Sequence, residues 1–318
     1  MDTKHAVLMA LEENKGRPVS GSKLAQQLDI SRTAVWKAIT SLKDEGYDIQ
    51  SGRNKGYQLS SHSDMLSEEA VRAELRHQVP LYIYDSLEST NKTAASLAMD
   101  GAPAGTTVIA AEQTNGRGRR GRSFYSPKDT GLYLSMILEP EGDMTQAVLI
   151  TSAVAVAVSR AIDDVSGKKS RIKWVNDVYL DGKKVSGTLT EALTDFETGS
   201  IGHIVTGIGV NCSTEHFPDS AGSNAGSIGG GFSRSSLAAR IIDNVMDTIG
   251  HLEERSFIEE YRRRSMVIGK DIDVYHTIGG EPFPARAIDI DKDGGLVIQR
   301  PDGSRETLST GEITIRLK

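Results

Sequence analysis

A little beyond the first third of the chain, four arginines and three glycines fill seven consecutive positions, 116–122, directly after an apolar segment that is typical of a β-strand. The glycines satisfy the pattern G-x-G-x-x-G of dinucleotide-binding folds. That motif should open a helix, but Ser-Phe-Tyr-Ser-Pro follows at 123–127 and offers no apolar helical stripe. The P-loop pattern G-x-x-x-x-G-K-[ST] does not occur either. The sequence therefore argues against both nucleotide-binding motifs and predicts an arginine-rich loop.

The chemistry of this arginine loop, residues 116–122, leaves two interpretations. Glycine lets a backbone approach a ligand closely, and guanidinium groups pair bidentately with phosphate or carboxylate. The loop would then capture a phosphate-bearing ligand and become ordered on binding. Alternatively, it is a solvated basic loop or a nucleic-acid patch. Its position inside an acidic part of the chain, after an apolar strand, favours the first interpretation.

Charge is distributed unevenly along the 318 residues, whose formal net charge is −6. Residues 1–60 hold nine basic and seven acidic side chains, a balance of +2, while the rest hold 28 and 36, a balance of −8. This gives no support to nucleic-acid binding by the whole chain and assigns any such contact to the first 60 residues.

Cysteine usage and hydropathy favour a cytoplasmic protein. Cys212 is the sole cysteine, which excludes an intramolecular disulfide and a cysteine-cluster zinc site. The first residues carry acids and lack a small-residue cleavage site, so no signal peptide is expected. The longest apolar stretch, Ala147 to Val158, falls short of the roughly 20 residues of a bilayer span and is predicted to be a buried helix.

Residues 1–60 carry the pattern of a winged helix-turn-helix. Two short segments, 24–28 and 35–42, show helical apolar spacing, and a three-residue link that ends in the expected N-cap Ser31 joins them. A hairpin with a basic tip follows at 47–59. The alternative is a small helical module that binds protein or nothing. If the module binds DNA, the residues expected at base edges or phosphates are Ser31, Arg32, Thr33, Trp36, Lys37, Arg53 and Lys55.

The rest of the chain predicts an α+β architecture without a regular βαβ repeat. A polar linker is expected at 61–80, a mixed α/β domain at 81–268 and a β-rich module, likened to a small barrel, at 269–318. The predicted strands are 81–87, 106–113, 131–138, 171–180, 183–193 and 203–212. The predicted helices are 91–101, 145–166 and 235–265, the last with a possible break at Gly250.

Three further polar clusters accompany the arginine loop. Lys173-Trp-Val-Asn-Asp177 is expected on a strand, and Lys183-Lys184-Val-Ser-Gly187 follows one hairpin later. An inward lysine could stabilise charge on a transferring phosphoryl or acyl group, and Asp177 could ligate Mg²⁺ or simply pair with a cation. Ser89-Thr90-Asn91 stands where a strand meets a helix. Taken alone, each lysine could be a surface residue, and the Ser89–Asn91 cluster could be only a helix cap.

Taken together, these segments and GIGVN at 207–211 closely resemble the biotin–protein ligase family, in the bifunctional form that is also the biotin operon repressor. The resemblance covers essentially the whole chain. It implies a winged helix-turn-helix, a central ligase domain similar to class II synthetases and an SH3-like β-barrel. It also implies activation of biotin with MgATP to biotinyl-5′-AMP, followed by transfer of biotin to a lysine of the biotin carboxyl carrier protein of acetyl-CoA carboxylase or another carboxylase.

The resemblance also assigns roles to individual residues. The group expected to act in catalysis is Lys184, Arg117 and Arg119. The residues expected around biotin are Ser89, Thr90, Asn91, Gln113, Arg117, Gly118, Arg119, Lys184 and Gly187. Those expected around the nucleotide are Arg119, Arg120, Arg122, Phe124, Lys173, Asn176 and Asn211, with Asp177 as a metal ligand. The departures from the family are Val175 in place of proline, Thr188 in place of an apolar residue, and Phe124 where some members have tryptophan.

In this family the adenylate is also the corepressor, so the resemblance implies a homodimer that binds a palindromic operator. An exposed edge strand around 188–211 is expected to form the dimer surface, which the carrier protein would share in alternation. Two alternatives stay open: a DNA-binding regulator without ligase activity, and a ligase for another acyl group such as lipoate or octanoate.

Overall fold

A computed structural model describes residues 2–52, 56–139, 146–194, 201–275, 281–309 and 314–317. The predicted wing-tip residues Arg53 and Lys55 lie outside these ranges. The chain divides into two compact units, which we call the head unit (Met1–Arg76 with Gly231–Arg240) and the body unit (His77–Gly230 with Ile241–Lys318). The first part of the predicted linker therefore groups with the head unit, and the domain boundaries drawn from the sequence stay predictions.

The head unit contains the predicted winged helix-turn-helix. Leu24, Val35 and Leu42 are fully buried in its core, as their helical spacing predicts. Ser31 accepts a hydrogen bond from the Ala34 N–H at 3.1 Å, which confirms it as an N-cap. Its elements are α1 (Thr3–Glu12), α2 (Gly21–Gln27), α3 (Arg32–Asp44), the antiparallel strands β1 (Ile49–Gly52) and β2 (Gly56–Leu59), and α4 (Glu68–Arg72), which lies in the predicted linker.

The body unit is built on a seven-stranded sheet in the order β3-β4-β5-β9-β8-β7-β6, in which only β3 and β4 are parallel. The helix between β3 and β4 makes a single βαβ unit, and the remaining strands pair as antiparallel neighbours. The elements in chain order are β3 (Leu81–Tyr84), α5 (Thr90–Met99), β4 (Thr107–Ala110), β5 (Gly131–Leu138), α6 (Gln146–Ser166), β6 (Arg171–Lys173), β7 (Asp177–Leu180), β8 (Lys183–Thr194) and β9 (Ile201–Asn211).

Helix α6 is the predicted core helix. Its side chains from Ala153 to Val158 are all fully buried. The predicted helical segment 235–265 is indeed broken near Gly250, into α7 (Arg234–Gly250) and α8 (Phe257–Arg264). Within the described ranges, no helix combines the length and the apolar character needed to cross a membrane.

The C-terminal module is a five-stranded antiparallel sheet in the order β13-β12-β11-β10-β14. Alternate residues of its strands, such as Ile272 and Val274, are buried, as the period of two predicts. The predicted β-rich module is therefore present. Its strands are β10 (Asp271–Tyr275), β11 (Phe283–Ile290), β12 (Leu296–Gln299), β13 (Arg305–Leu308) and β14 (Thr314–Leu317).

Two sequence predictions about strands need correction. Residues 171–180 form not one strand but β6 and β7, which pair with each other antiparallel around a turn at 174–176, so the Lys173–Asp177 cluster sits on this turn. The segment 188–211 is not an edge throughout: β9 lies between β5 and β8. Thr188–Thr194 of β8 pairs with β9 but not with β7, because β7 pairs with β8 no further than Gly187.

Candidate active site

A cavity of about 340 Å³ opens in the body unit between the arginine loop, the start of α5, the β6–β7 turn and the strands β8 and β9. The structure brings all sixteen site residues predicted for this part of the chain into its lining. They are Ser89, Thr90, Asn91, Gln113, Arg117, Gly118, Arg119, Arg120, Arg122, Phe124, Lys173, Asn176, Asp177, Lys184, Gly187 and Asn211. Their contacts with a ligand stay predictions.

One end of the cavity is a polar pocket at the start of α5. The Ser89 side chain does not cap this helix; instead, the Gln113 Oε1 atom accepts hydrogen bonds from the Thr90 N–H at 2.9 Å and the Thr90 hydroxyl at 3.1 Å. The Gln113 amide nitrogen donates to the Ser126 hydroxyl at 3.0 Å. Gln113 therefore accepts from the Thr90 N–H, which has no partner within the helix, and the Gln113 amide is held in one orientation.

Asn91 lies beside this pocket and is 4% exposed. Its Nδ2 atom donates to Glu191 Oε2 at 2.6 Å, and its Oδ1 atom accepts from the Ser135 hydroxyl at 2.6 Å. A Cβ atom at Gly207 would overlap the Asn91 amide. The glycine on β9 is therefore what leaves room for this side chain.

The arginine loop is a closed turn. The Gly118 N–H donates to the Arg122 carbonyl at 2.7 Å, and the Phe124 N–H donates to the Gly116 carbonyl at 2.9 Å. Arg120 adopts left-handed backbone angles (φ 60°, ψ 38°) at the tip. The loop therefore has hydrogen-bonded structure of its own, and ordering on ligand binding stays a prediction.

Arg119 is the arginine of the loop that bonds to the β6–β7 turn. Its Nη1 atom donates to Asn176 Oδ1 at 2.7 Å, and Asn176 in turn donates to the Thr188 carbonyl at 2.7 Å. Burial lowers the pKa of Arg119, and the charge of Asp177 opposes that effect. A guanidinium nevertheless stays protonated in proteins, so Arg119 places a fixed positive charge at the cavity wall.

Lys184 and Asp177 form an ion pair inside the cavity, with Lys184 Nζ 2.6 Å from Asp177 Oδ1. Gly187 lies opposite Asp177 in the β7–β8 ladder, and a Cβ atom there would touch both charged side chains. Asp177 thus pairs with a cation, one of the two roles foreseen for it. The described residues contain no cluster of three metal-ligating side chains.

The other end of the cavity is aromatic. The Phe124 ring lies on the backbone of Gly209, where a Cβ atom would collide with it, and meets Tyr133 edge-to-face at 6.4 Å. At the same end, the Asn211 amide donates to the Gly226 carbonyl at 3.0 Å. A flat, π-rich wall with an amide beside it suits an aromatic base.

The cavity is strongly positive although the chain is acidic. Six cationic side chains line it, from Arg117, Arg119, Arg120, Arg122, Lys173 and Lys184, against one carboxylate, that of Asp177. Such a concentration of positive charge favours a ligand that carries several negative charges.

Reasoning from the sequence missed several residues that shape the cavity. Gly207 and Gly209 were part of a noted motif, and glycines at alternate strand positions are a signal of close approach. Ser135, Glu191 and Phe217 gave no such signal, because each acquires its role from a partner far away in sequence. Phe217 lines the cavity and meets Tyr125 edge-to-face at 6.4 Å.

In the head unit, the predicted DNA-binding residues of α3 lie on its solvent side. Arg32, Thr33 and Trp36 line a shallow groove together with residues of the hairpin. Trp36 is 57% exposed, unusual for so large an apolar side chain. Lys37 is exposed as well, whereas the Ser31 hydroxyl is engaged as the helix cap.

Comparison with known protein families identifies the class. Residues 83–211 match the biotin/lipoate A/B protein ligase family, residues 3–58 a helix-turn-helix domain, and residues 268–316 the biotin protein ligase C-terminal domain. The cavity lies mostly within the first match. The fold and the site thus define a ligase of the biotin/lipoate class that also carries a helix-turn-helix head.

Individual relatives narrow the class. The chain is 34% identical to the bifunctional ligase/repressor BirA of Bacillus subtilis (strain 168) over 306 residues, 92% of each chain. It is 29% identical to that of Escherichia coli (strain K12) over 97% of this chain and 96% of that one. The chain belongs to the biotin protein ligase family, in its bifunctional ligase–repressor form. A solved biotin protein ligase from Aquifex aeolicus shares the fold, with a TM-score of 0.65, 23% identity and coverage of 75% and 99%.

Proposed function

We propose that this protein activates biotin with ATP to biotinyl-5′-AMP and transfers the biotin to a lysine of a biotin carboxyl carrier protein. The observation that carries the proposal is the single cavity that joins the polar pocket around Thr90 and Gln113 to the cationic groups around Lys184. The biotin ring occupies the polar pocket, and its carboxylate reaches Lys184.

In the first step, a biotin carboxylate oxygen attacks the α-phosphorus of ATP, and pyrophosphate leaves. Two anions must meet for this bond to form. Arg117, Arg119 and Lys184 reduce their repulsion and stabilise the charge that develops in the transition state. The adenine lies against Phe124, and Arg120, Arg122, Lys173, Asn176 and Asn211 surround the nucleotide.

Asp177 would hold the Mg²⁺ that accompanies ATP, and the ion would neutralise charge on the phosphates. This ion keeps several waters and usually takes one or two carboxylates besides the phosphates of its nucleotide. Asp177 is the one carboxylate among the residues that line the cavity, and a phosphate that draws Lys184 away would leave an Asp177 oxygen for the ion.

In the second step, the carrier lysine amine attacks the acyl carbon of the adenylate, AMP leaves, and an amide forms. The mixed anhydride must be shielded from water until then. Ser89, Asn91, Gly118 and Gly187 shape the walls around the bound acid. Because the reaction uses ATP and a carboxylase subunit, we assign it to the cytoplasm.

The head unit gives the protein its second activity, repression of biotin genes. The adenylate acts as corepressor by favouring a homodimer, whose two α3 helices read the two halves of a palindromic operator. The part of β8 that β7 does not pair with, Thr188–Thr194, is the proposed dimer surface, and the carrier protein competes for it. Sedimentation should show a dimer with the adenylate bound; a monomer at all concentrations, with ligand and operator present, would refute this.

The ligase is tested by mixing the purified protein with biotin, MgATP and an apo carrier domain. Pyrophosphate release together with a biotin-sized mass gain on the carrier is expected. Reaction with lipoate or octanoate but not with biotin would establish the acyl-ligase alternative. Biotin-dependent DNA binding without any reaction would establish a regulator alone.

A further inference from the structure

We infer that Glu191 is a positioning residue for biotin, which acts through Asn91 to set the hydrogen-bond polarity of the pocket. The inference rests on the proposed function. Glu191 does not line the cavity. It stands on β8, and its Oε2 atom accepts a hydrogen bond of 2.6 Å from the Asn91 amide, which does line the cavity. No ligand contact is therefore needed for Glu191 to act.

The carboxylate determines which way the Asn91 amide faces. An ionised carboxylate only accepts hydrogen bonds, so the NH₂ group must face Glu191, with the Leu189 carbonyl as a second acceptor at 3.4 Å. The Oδ1 atom is thereby turned toward the Ser135 hydroxyl, 2.6 Å away. Because an amide oxygen also only accepts, it draws the single hydrogen of Ser135 toward itself.

The orientation of Asn91 also affects the hydrogen bonds of Thr90, because Ser135 contacts both residues. The Ser135 hydroxyl is fully buried and shares its single hydrogen between two acceptors, Asn91 Oδ1 at 2.6 Å and Thr90 Oγ1 at 2.7 Å. The hydrogen of Thr90 points to Gln113 Oε1, an acceptor whose orientation is fixed because its NH₂ group faces Ser126. Neither hydroxyl hydrogen is left for a ligand. Toward the cavity, Thr90 offers lone pairs only, and the pocket selects a ligand that presents an N–H donor.

Loss of the Glu191 acceptor would release this arrangement. The Asn91 amide could then turn its NH₂ group toward Ser135, whose hydrogen would pass wholly to Thr90 and make Thr90 Oγ1 a weaker acceptor for the ligand. Biotin carries ureido N–H groups and would lose affinity. A fatty acid or lipoate has no such donor and would be indifferent to the change. Glu191 thus contributes to the choice of a ureido acid over other carboxylic acids.

Titration calorimetry of biotin binding to the full chain tests the inference. Glu191→Met should raise the Kd about tenfold, whereas Glu191→Gln, which still offers an amide oxygen to Asn91, should stay within about twofold of the parent. Glu254→Met is the matched control, because it makes the same substitution at an exposed glutamate that bonds to His251; its Kd should not change. Ser135→Ala removes the hydrogen that would pass to Thr90, so it should not reproduce the loss seen in Glu191→Met.

A second ligand distinguishes a change in the hydrogen-bond polarity of the pocket from a general disruption of its structure. The carbamate analogue of biotin, with oxygen in place of the ureido N–H that meets Thr90, should bind the parent more weakly and show little further loss in Glu191→Met. Equal losses for biotin and the analogue, an unchanged Kd for biotin in Glu191→Met, or a rise in Ser135→Ala as large as that in Glu191→Met would overturn the inference. Failure of the parent to bind biotin would instead overturn the proposed function.

Discussion

Lys184 is held by Asp177 without being locked in place. The two side chains are 33% and 22% exposed, so a ligand oxygen can reach the ammonium group. The main chain around Lys184 is by contrast firmly placed, since its N–H donates to the Asn224 carbonyl at 2.7 Å and its carbonyl accepts from the Gly226 N–H at 2.9 Å. The Lys184 main chain is thus held in place while its ammonium group can still move. This combination suits a residue that must stay in contact with a carboxylate while the transition state forms.

Lys184→Ala should slow adenylate formation about 100-fold, because it removes a cation from the reacting anions. Single-turnover pyrophosphate release measures this rate. Lys183→Ala is the matched control: Lys183 is adjacent but exposed, and its ammonium group donates to the Ser223 carbonyl. A Lys184→Ala rate equal to that of Lys183→Ala would remove Lys184 from the catalytic group.

Arg119→Ala should shorten the lifetime of the bound adenylate about tenfold, the effect of one lost charge-assisted hydrogen bond. Retention of labelled adenylate on a desalting column checks this. Arg286→Ala, an exposed arginine on β11, serves as the control. Unchanged retention in Arg119→Ala would show that the loop does not hold the adenylate through this residue.

The site residues that could be predicted from the sequence are those whose residue type alone indicates a role. Clusters of arginines, lysines and polar residues indicate anion binding from the chemistry of their side chains alone. Ser135 and Glu191 could not be found this way, because a serine or glutamate has no particular meaning until its partner, 44 or 100 residues away, is known. The assigned roles in ligand binding await experiment.

At the scale of elements, helices α6 and α8 are joined by a half-buried ion network. Arg264 bonds Asp163 at 2.9 Å and Glu260 at 2.8 Å, and Glu260 also accepts from Arg160 at 2.7 Å. Burial raises the pKa of Asp163, but hydrogen bonds from Ser170 and Arg264 outweigh it, so the net pKa is lowered. Helix α8 is thereby held to the core helix of the body unit.

This network predicts a stability that depends on acid pH. A carboxyl whose folded pKa lies below its unfolded value, about 4, stabilises the fold above that value and loses the contribution as pH falls through the folded pKa. Asp163→Asn should lower the free energy of unfolding by about 2 kcal/mol at pH 7, and the difference should shrink below pH 4. Urea unfolding measures it, with the exposed neighbour Asp164→Asn as control. A difference independent of pH would contradict this.

Element types were largely predictable, and their pairing was not. Hydrophobic periodicity located the helices and strands because it is a local property. The 171–180 segment misled, since Trp-Val-Asn at 174–176 continues an alternating pattern without the glycine or proline that usually marks a turn. The position of β9 inside the sheet depends on β5, more than 60 residues earlier, and no local pattern encodes that.

At the scale of the whole molecule, we propose that the two activities belong to different units, so they should be separable by mutation. Arg32→Ala, on the exposed side of α3, should weaken operator binding about tenfold and leave the biotinylation rate unchanged. Gel-shift titration and the carrier assay measure the two effects. Lys4→Ala, on α1, should change neither. A loss of ligase activity in Arg32→Ala would show that the head contributes to catalysis.

The turn at 174–176 is tied to residues synthesised much later. Trp174 donates its indole N–H to the Gly294 carbonyl at 3.0 Å, and the Tyr261 hydroxyl donates to the Val175 carbonyl at 2.9 Å. A ribosome delivers residues in order, and early segments begin to fold before later ones emerge. The helix-turn-helix can therefore form before the ribosome has made Tyr261 and Gly294, the two residues that hold the turn at 174–176. We therefore expect the proposed ligase activity only after the C-terminal sheet has been synthesised, and we expect a prematurely terminated chain to carry a helix-turn-helix without a complete catalytic domain.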